Sequence, residues 1–229
     1  MSQIAANLAE VKKKIIASAE RVGRDPAEIK LIAVTKTVGI PQMLEAIEAG
    51  VTAIGENRVQ EINRKFPELH KPVEWHLIGH LQTNKVKYII DKVALIHSLD
   101  SLSLAEEISK RARQAGKEMP VLVQVNVAEE ESKHGLKLGE TEAFIRNVAN
   151  LDGLRISGLM TMAPLVEDPE EARPVFRRLR LLSEELRAKA IPGIELRYLS
   201  MGMTNDFEVA IEEGANLIRI GTAIFGARS

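Results

Sequence analysis

The sequence predicts an α/β protein built as a single (β/α)8 TIM barrel with an extra helix ahead of the first strand, and three observations predict it. Strand-type and helix-type segments alternate strictly along the chain, which implies a parallel sheet with crossover helices. Eight such units fit within 229 residues, near the ~250 residues usual for closed barrels. Connections are short and no change of composition marks a linker, so residues 1–229 read as one domain. An open doubly wound sheet is the competitor. It ordinarily carries a glycine-rich turn after its first strand, and Thr37-Val38-Gly39-Ile40 is not that turn.

Each element has its own signal. Residues 3–22 place Ile4, Leu8, Val11, Ile15, Ile16 and Ala19 at helical spacing, with Lys12, Lys13 and Lys14 mostly on the opposite, solvated side. Ile32-Ala33-Val34 is an apolar strand-type run that ends in Thr35-Lys36 and a turn. A helix opens at Ile40-Pro41 and stops before Gly50, with proline near its start and glycine past its end. Ala53-Ile54-Gly55 forms the second strand and runs through Glu56-Asn57-Arg58 into a helix carrying Val59, Ile62 and Phe66. Strands three to eight are expected at 73–78, 93–97, 120–127, 154–161, 195–199 and 216–220. The helices that follow them are expected at 84–91, 102–116, 141–151, 169–190 and 207–213, with a single turn at 222–226.

Composition narrows the function. The chain is 45% hydrophobic and 28% charged, an ordinary globular balance. Its 31 basic and 32 acidic residues leave a net charge of -1, so neither nucleic acid nor an anionic membrane is an expected partner. The absence of cysteine excludes disulfides, thiolate metal sites and thiol nucleophiles, and fits a reducing cytoplasm. No signal peptide or spanning run is legible, so a cytoplasmic location is expected. The five histidines lack metal-ligand spacing, and no metal is expected.

In a barrel the chemistry gathers at the C-terminal ends of the strands. The polar residues there are Lys36, Glu56 and Asn57, His80, Ser98 and Asp100, Asn126, Thr161, Ser200 to Thr204, and Arg219 to Thr222. Lys36 reads either as a strand end surfacing into water or as a desolvated amine that condenses with a carbonyl. Ser200-Met201-Gly202-Met203-Thr204 follows strand seven and Gly221-Thr222 follows strand eight, the pair of loops in which barrels commonly seat a phosphate. Gly202 and Gly221 allow close backbone approach, while Ser200, Thr204 and Thr222 offer hydroxyls. Arg219, inside Leu217-Ile218-Arg219-Ile220, needs an acceptor: either a carboxylate such as Asp206 or Glu208, or a ring nitrogen. A phosphate seat, a ring-facing cation and a carbonyl-seeking amine together describe pyridoxal 5′-phosphate.

The chain resembles the pyridoxal phosphate homeostasis proteins, which look like the barrel domain of alanine racemase standing alone. The resemblance rests on Ala33-Val34-Thr35-Lys36, Gly55-Glu56-Asn57-Arg58-Val59-Gln60-Glu61, the run from Trp75 to Lys85, Val125-Asn126, Lys133-His134-Gly135, Gly158-Leu159-Met160-Thr161-Met162, Leu199-Ser200-Met201-Gly202-Met203 and the run from Arg219 to Gly226. Thr204 stands where the family commonly has serine, and the hydroxyl survives. The resemblance implies a Schiff base on Lys36, Arg219 at the pyridine nitrogen, Ser200, Gly202, Gly221 and Thr222 at the phosphate, and Asn57 and His80 along the ring. His76 and His97 read as core residues or as lying behind the site, His70 and His134 as loop residues, and Lys133 as a solvated loop lysine or a secondary contact. Arginine at the pyridine nitrogen weakens carbanion stabilisation. The racemase relatives add a tyrosine base from a further domain of the partner subunit, and neither Tyr88 nor Tyr198 is placed to replace it. The expectation is therefore a monomeric carrier that binds the cofactor reversibly and buffers or delivers it to apo-enzymes, without catalysis of its own. A racemase-like enzyme is the alternative.

Overall fold

The computed structural model describes residues 2–130 and 134–226; Lys133, with the two residues before it, lies outside the described residues. Helix α1 (Gln3–Arg21) starts at Ser2, whose hydroxyl accepts from the Ala5 N–H at 3.2 Å. The expected apolar stripe is buried at Ile4, Leu8, Val11, Ile15 and Ala19.

The strands β1 (Lys30–Val34), β2 (Ala53–Glu56), β3 (Glu74–Leu77), β4 (Leu95–Leu99), β5 (Met119–Gln124), β6 (Leu154–Met160), β7 (Ile194–Ser200) and β8 (Leu217–Ile220) form one closed parallel barrel in chain order. Closure is made by β1 and β8, in register from Lys30 opposite Leu217 to Ala33 opposite Ile220. Between the strands run α2 (Ile40–Glu48), α3 (Val59–Lys65), α4 (Leu102–Gln114), α5 (Thr141–Val148), α6 (Arg173–Ala188) and α7 (Phe207–Glu212), and the single turn α8 (Thr222–Phe225) follows β8. Helix α1 lies across the seam where the barrel closes, with the Asn7 side chain donating to the Ile224 carbonyl of α8 at 3.0 Å. Among the described residues no helix is long and apolar enough to cross a membrane.

Strand side chains alternate between the barrel interior and the helix layer. Ile32, Ala53, Leu95, Leu122, Met160 and Leu217 pack together inside, with Met162 and Tyr198 against them. The next inward position on four strands is polar or buried charge: His76, His97, Ser200 and Arg219 are all buried. The outward set, including Ala33, Ile54, Leu77, Ile96 and Val121, meets the helices in the larger core.

Three segments depart from expectation. Residues 83–88 form a 3₁₀ turn in place of an α-helix, and the apolar residues that suggested a helix over 84–91, Val86, Ile89 and Ile90, are buried through this turn and the one that follows it. Strand β4 starts at Leu95, because the Val93 N–H is spent on the Ile89 carbonyl of the preceding turn. The long helix after β6 begins as a 3₁₀ turn at 169–172, capped by the Asp168 carboxylate accepting from the Glu170 N–H at 3.0 Å, and becomes regular at Arg173.

Candidate functional site

Strand β1 ends at Val34, so Lys36 stands on the turn beyond it, half-buried. Among the described residues no carboxylate pairs with its ammonium. Its neighbours, in contrast, are held tightly. The buried Lys65 ammonium at the end of α3 donates to the Thr35 carbonyl, Glu56 Oε1 and Glu61 Oε2, each at 2.7 Å. Thr35 Oγ1 donates to Glu56 Oε1 at 2.7 Å, and the Thr37 N–H donates to Glu61 Oε2 at 3.0 Å. Thr37 sits at φ 61°, a left-handed conformation that a β-branched residue adopts only when its surroundings impose it. Lys36 thus projects from a turn clamped on both sides. Burial pushes the Glu56 carboxyl up against the pull of Lys65 and Thr35, whereas Glu61, also bonded to the Thr37 N–H, is held down.

On β8, the neighbour of β1 in the closed barrel, the buried Arg219 guanidinium donates to Ser200 Oγ and, at 2.9 Å, to the Thr161 carbonyl. Neither expected carboxylate bonds it. Asp206 Oδ1 accepts from the Met203 N–H at 2.6 Å, and Glu208 faces Lys14 and Arg21. Burial lowers the Arg219 pKa to about 10, partly offset by Asp206, and the group stays charged at neutral pH.

Both cations line a cleft of about 510 Å³, together with Met162, Met203, Thr204 and Thr222. Gly221, Asp206 and the apolar loop after β6, with its exposed Leu165, complete one wall. Gly202 lies at φ +92° under this wall, where a Cβ would come within 2.6 Å of Ala210 Cβ, so the loop after β7 can follow its path only with glycine. Thr204 Oγ1 accepts from the Ala223 N–H at 3.5 Å and ties that loop to α8. As the first residue of α8, Thr222 keeps its N–H without an intrahelical partner. Ser200, expected as a phosphate donor, is fully buried, with its hydroxyl committed to Arg219 and to His97 at 2.9 Å.

Asn57 and His80 do not line this cleft. Asn57 is half-buried on the loop after β2, and the loop after β3 passes so close that a Cβ on Gly79 would lie 2.3 Å from the Asn57 carbonyl oxygen. His80 is exposed, 3.6 Å from Asp100 through Nδ1, and stacks on His134 with centroids 4.0 Å apart and planes at 11°. One ligand atom from each of His80, Asp100 and His134 lies within 4.8 Å of the others, a grouping able to hold a metal ion. Spacing along the chain does not show it, because the three come from loops after β3, β4 and β5. Sequence reasoning also missed Lys65 and the apolar wall of Met162 and Met203. A hydrophobic loop residue after β6 was the one available signal for that wall. Tyr88 is exposed at the end of its 3₁₀ turn, and Tyr198 lines a separate cavity that also includes Lys30 and Glu74.

The family model described as "Alanine racemase, N-terminal domain" matches residues 1–229. The chain is 46% identical over 222 residues to a pyridoxal phosphate homeostasis protein of Aquifex aeolicus (strain VF5), covering 96% of each chain. It is 40% identical over 237 residues to the protein of the same description from Escherichia coli (strain K12), covering 100% of this chain and 98% of that one. Among solved structures, PipY of Synechococcus elongatus PCC7942 with PLP bound superposes with a TM-score of 0.85 at 34% identity, over 97% of this chain and 100% of that one.

Proposed function

This chain belongs to the pyridoxal phosphate homeostasis protein family, and we propose that it binds pyridoxal 5′-phosphate in the mouth cleft and serves intracellular homeostasis of that cofactor by holding, buffering or delivering it. The observation that carries this reading is the convergence on one cleft of an amine without a carboxylate partner among the described residues, Lys36, and a buried guanidinium, Arg219. The cleft volume suits a ligand of this size. When bound, the cofactor supplies an aldehyde able to condense with an amine.

Lys36 supplies that amine on its clamped turn. Arg219, a donor without acceptor capacity, faces the ring nitrogen and disfavours its protonation. The loops after β7 and β8 take the phosphate through Gly202, Gly221 and Thr222, and Ser200 braces Arg219 from beneath. Asn57 and His80, at the next two strand ends, lie outside the cleft lining and take no part in holding the ring in this reading. A cysteine-free chain is in keeping with a cytoplasmic setting.

Catalysis is not part of the proposal. Among the described residues no tyrosine lines the cleft beside Lys36, so a second base of the racemase type is not at hand. Two experiments test the reading. Mixed with an apo-enzyme that needs the cofactor, the loaded protein is expected to restore its activity while losing its own visible absorbance. Incubated with L-amino acids in heavy water, it is expected to leave the α-hydrogen in place; sustained exchange would favour the enzyme.

A further inference from the structure

A file of hydrogen bonds runs down the inside of the barrel from Arg219 at the mouth to Glu74 at the opposite rim. Arg219 donates to Ser200 Oγ, which lies 2.9 Å from His97 Nδ1. His97 Nε2 lies 2.9 Å from His76 Nδ1, and His76 Nε2 lies 3.4 Å from Glu74 Oε2. Lys30 holds Glu74 at 2.8 Å, beside a floor cavity of about 180 Å³ that reaches His76. Both imidazoles are buried, and burial lowers the pKa of each, so neither carries a charge at neutral pH.

The carboxylate end of this file dictates the direction of every bond in it. A guanidinium only donates and a carboxylate only accepts, while a neutral imidazole has one nitrogen for each role. Ser200 therefore accepts from Arg219 and donates to His97 Nδ1. His97 donates through Nε2 to His76 Nδ1, and His76 donates through Nε2 to Glu74. Reversing the two rings would point the bare Nε2 lone pair of His76 at a carboxylate. The Glu74 carboxyl is pulled down to about 2, chiefly by His76, and so stays an acceptor across the physiological range.

We propose that Glu74, acting through His76 and His97, is a positioning residue for Arg219: it fixes both imidazoles in the Nε2–H form, so that the Ser200 hydroxyl spends its proton on His97 Nδ1 and turns its lone pairs to the guanidinium. This rests on the proposed function only where Arg219 meets the cofactor ring. Glu74 is half-exposed at the rim and its pair with Lys30 is a surface one, so replacing it leaves the core intact.

The test uses ¹⁵N-histidine NMR on the cofactor-free protein at neutral pH, followed by pyridoxal phosphate titration. Wild type is expected to show both rings neutral and protonated at Nε2. Glu74→Ala is expected to give a mixture of tautomers at both rings and cofactor affinity weaker by about tenfold, the scale of one lost hydrogen bond. Glu74→Gln, whose amide oxygen still accepts, is expected to restore both. Wild-type rings that are charged or protonated at Nδ1, or tautomers and affinity unchanged in Glu74→Ala, would overturn the proposal. Expected tautomers in a wild type that never binds the cofactor would support the file of bonds and remove the proposed function instead.

Discussion

Lys65 decides how well Lys36 is held. Its fully buried ammonium answers Glu56, whose second oxygen, Oε2, has no hydrogen-bond partner among the described residues, and Glu61, which also holds the Thr37 N–H. Removing one member of a buried ionic group strands the others, a loss of about 3–5 kcal/mol. Lys65→Met should therefore lower unfolding stability by that order in urea titration and slow the capture of pyridoxal phosphate at Lys36; a loss below about 1 kcal/mol would show that the clamp is not tight. Lys36 itself was legible, because a lone lysine at the end of an apolar run asks for an explanation. Lys65 was not: in the last turn of a helix a lysine reads as a solvated partner of the helix dipole. Its burial follows from Glu56 pointing outward from β2 into the helix layer, a parity that depends on strand register.

At the scale of elements, the loop after β7 is shaped by Gly202. Ala210 Cβ and Phe207 Cα crowd its missing side chain, at 2.6 Å and 3.0 Å from an ideal Cβ. Gly202→Ala is expected to cost about 1–3 kcal/mol in thermal or urea unfolding and to weaken cofactor binding at least as strongly, since the loop must shift. Stability and affinity both like wild type would show that this loop does not shape the cleft. All eight strands and the N-terminal helix were legible from periodicity, because each strand is a short apolar run between polar turns. What escaped was the winding of the backbone where apolar spacing alone is the signal. Val86, Ile89 and Ile90 sit at helical spacing and are buried, yet residues 83–88 wind as a 3₁₀ turn. The shift of β4 to Leu95–Leu99 was hidden for a similar reason: Val93 and Ile89 look like strand residues and serve a turn.

For the whole molecule, closure of the barrel turns distant residues into neighbours. It brings Lys36 and Arg219 to one cleft and His80, Asp100 and His134 to one rim, groupings that no local spacing announces. Closure also buries His76 and His97 inside the barrel, and this has a consequence for pH. Their folded pKa values lie below the ordinary ~6.5, so the unfolded chain takes up protons that the native state refuses. Their contribution to stability is complete above about pH 6.5 and is lost as pH falls from there toward the folded values. Glu56, raised by burial, acts in the opposite sense from about pH 4.5 upward to its raised folded value. The melting temperature of the cofactor-free protein should accordingly fall between about pH 6.5 and pH 5, and His97→Gln should flatten that slope; an identical slope in the variant would contradict this origin. The central claim is that the clamped Lys36 amine is where an aldehyde-bearing cofactor attaches, and borohydride reduction of the loaded protein followed by peptide mass analysis tests it most directly. The expected result is one cofactor mass on the peptide containing Lys36, and none anywhere in Lys36→Ala. Label on another lysine, such as Lys85 or Lys87, or no label at all in the wild type, would contradict the account.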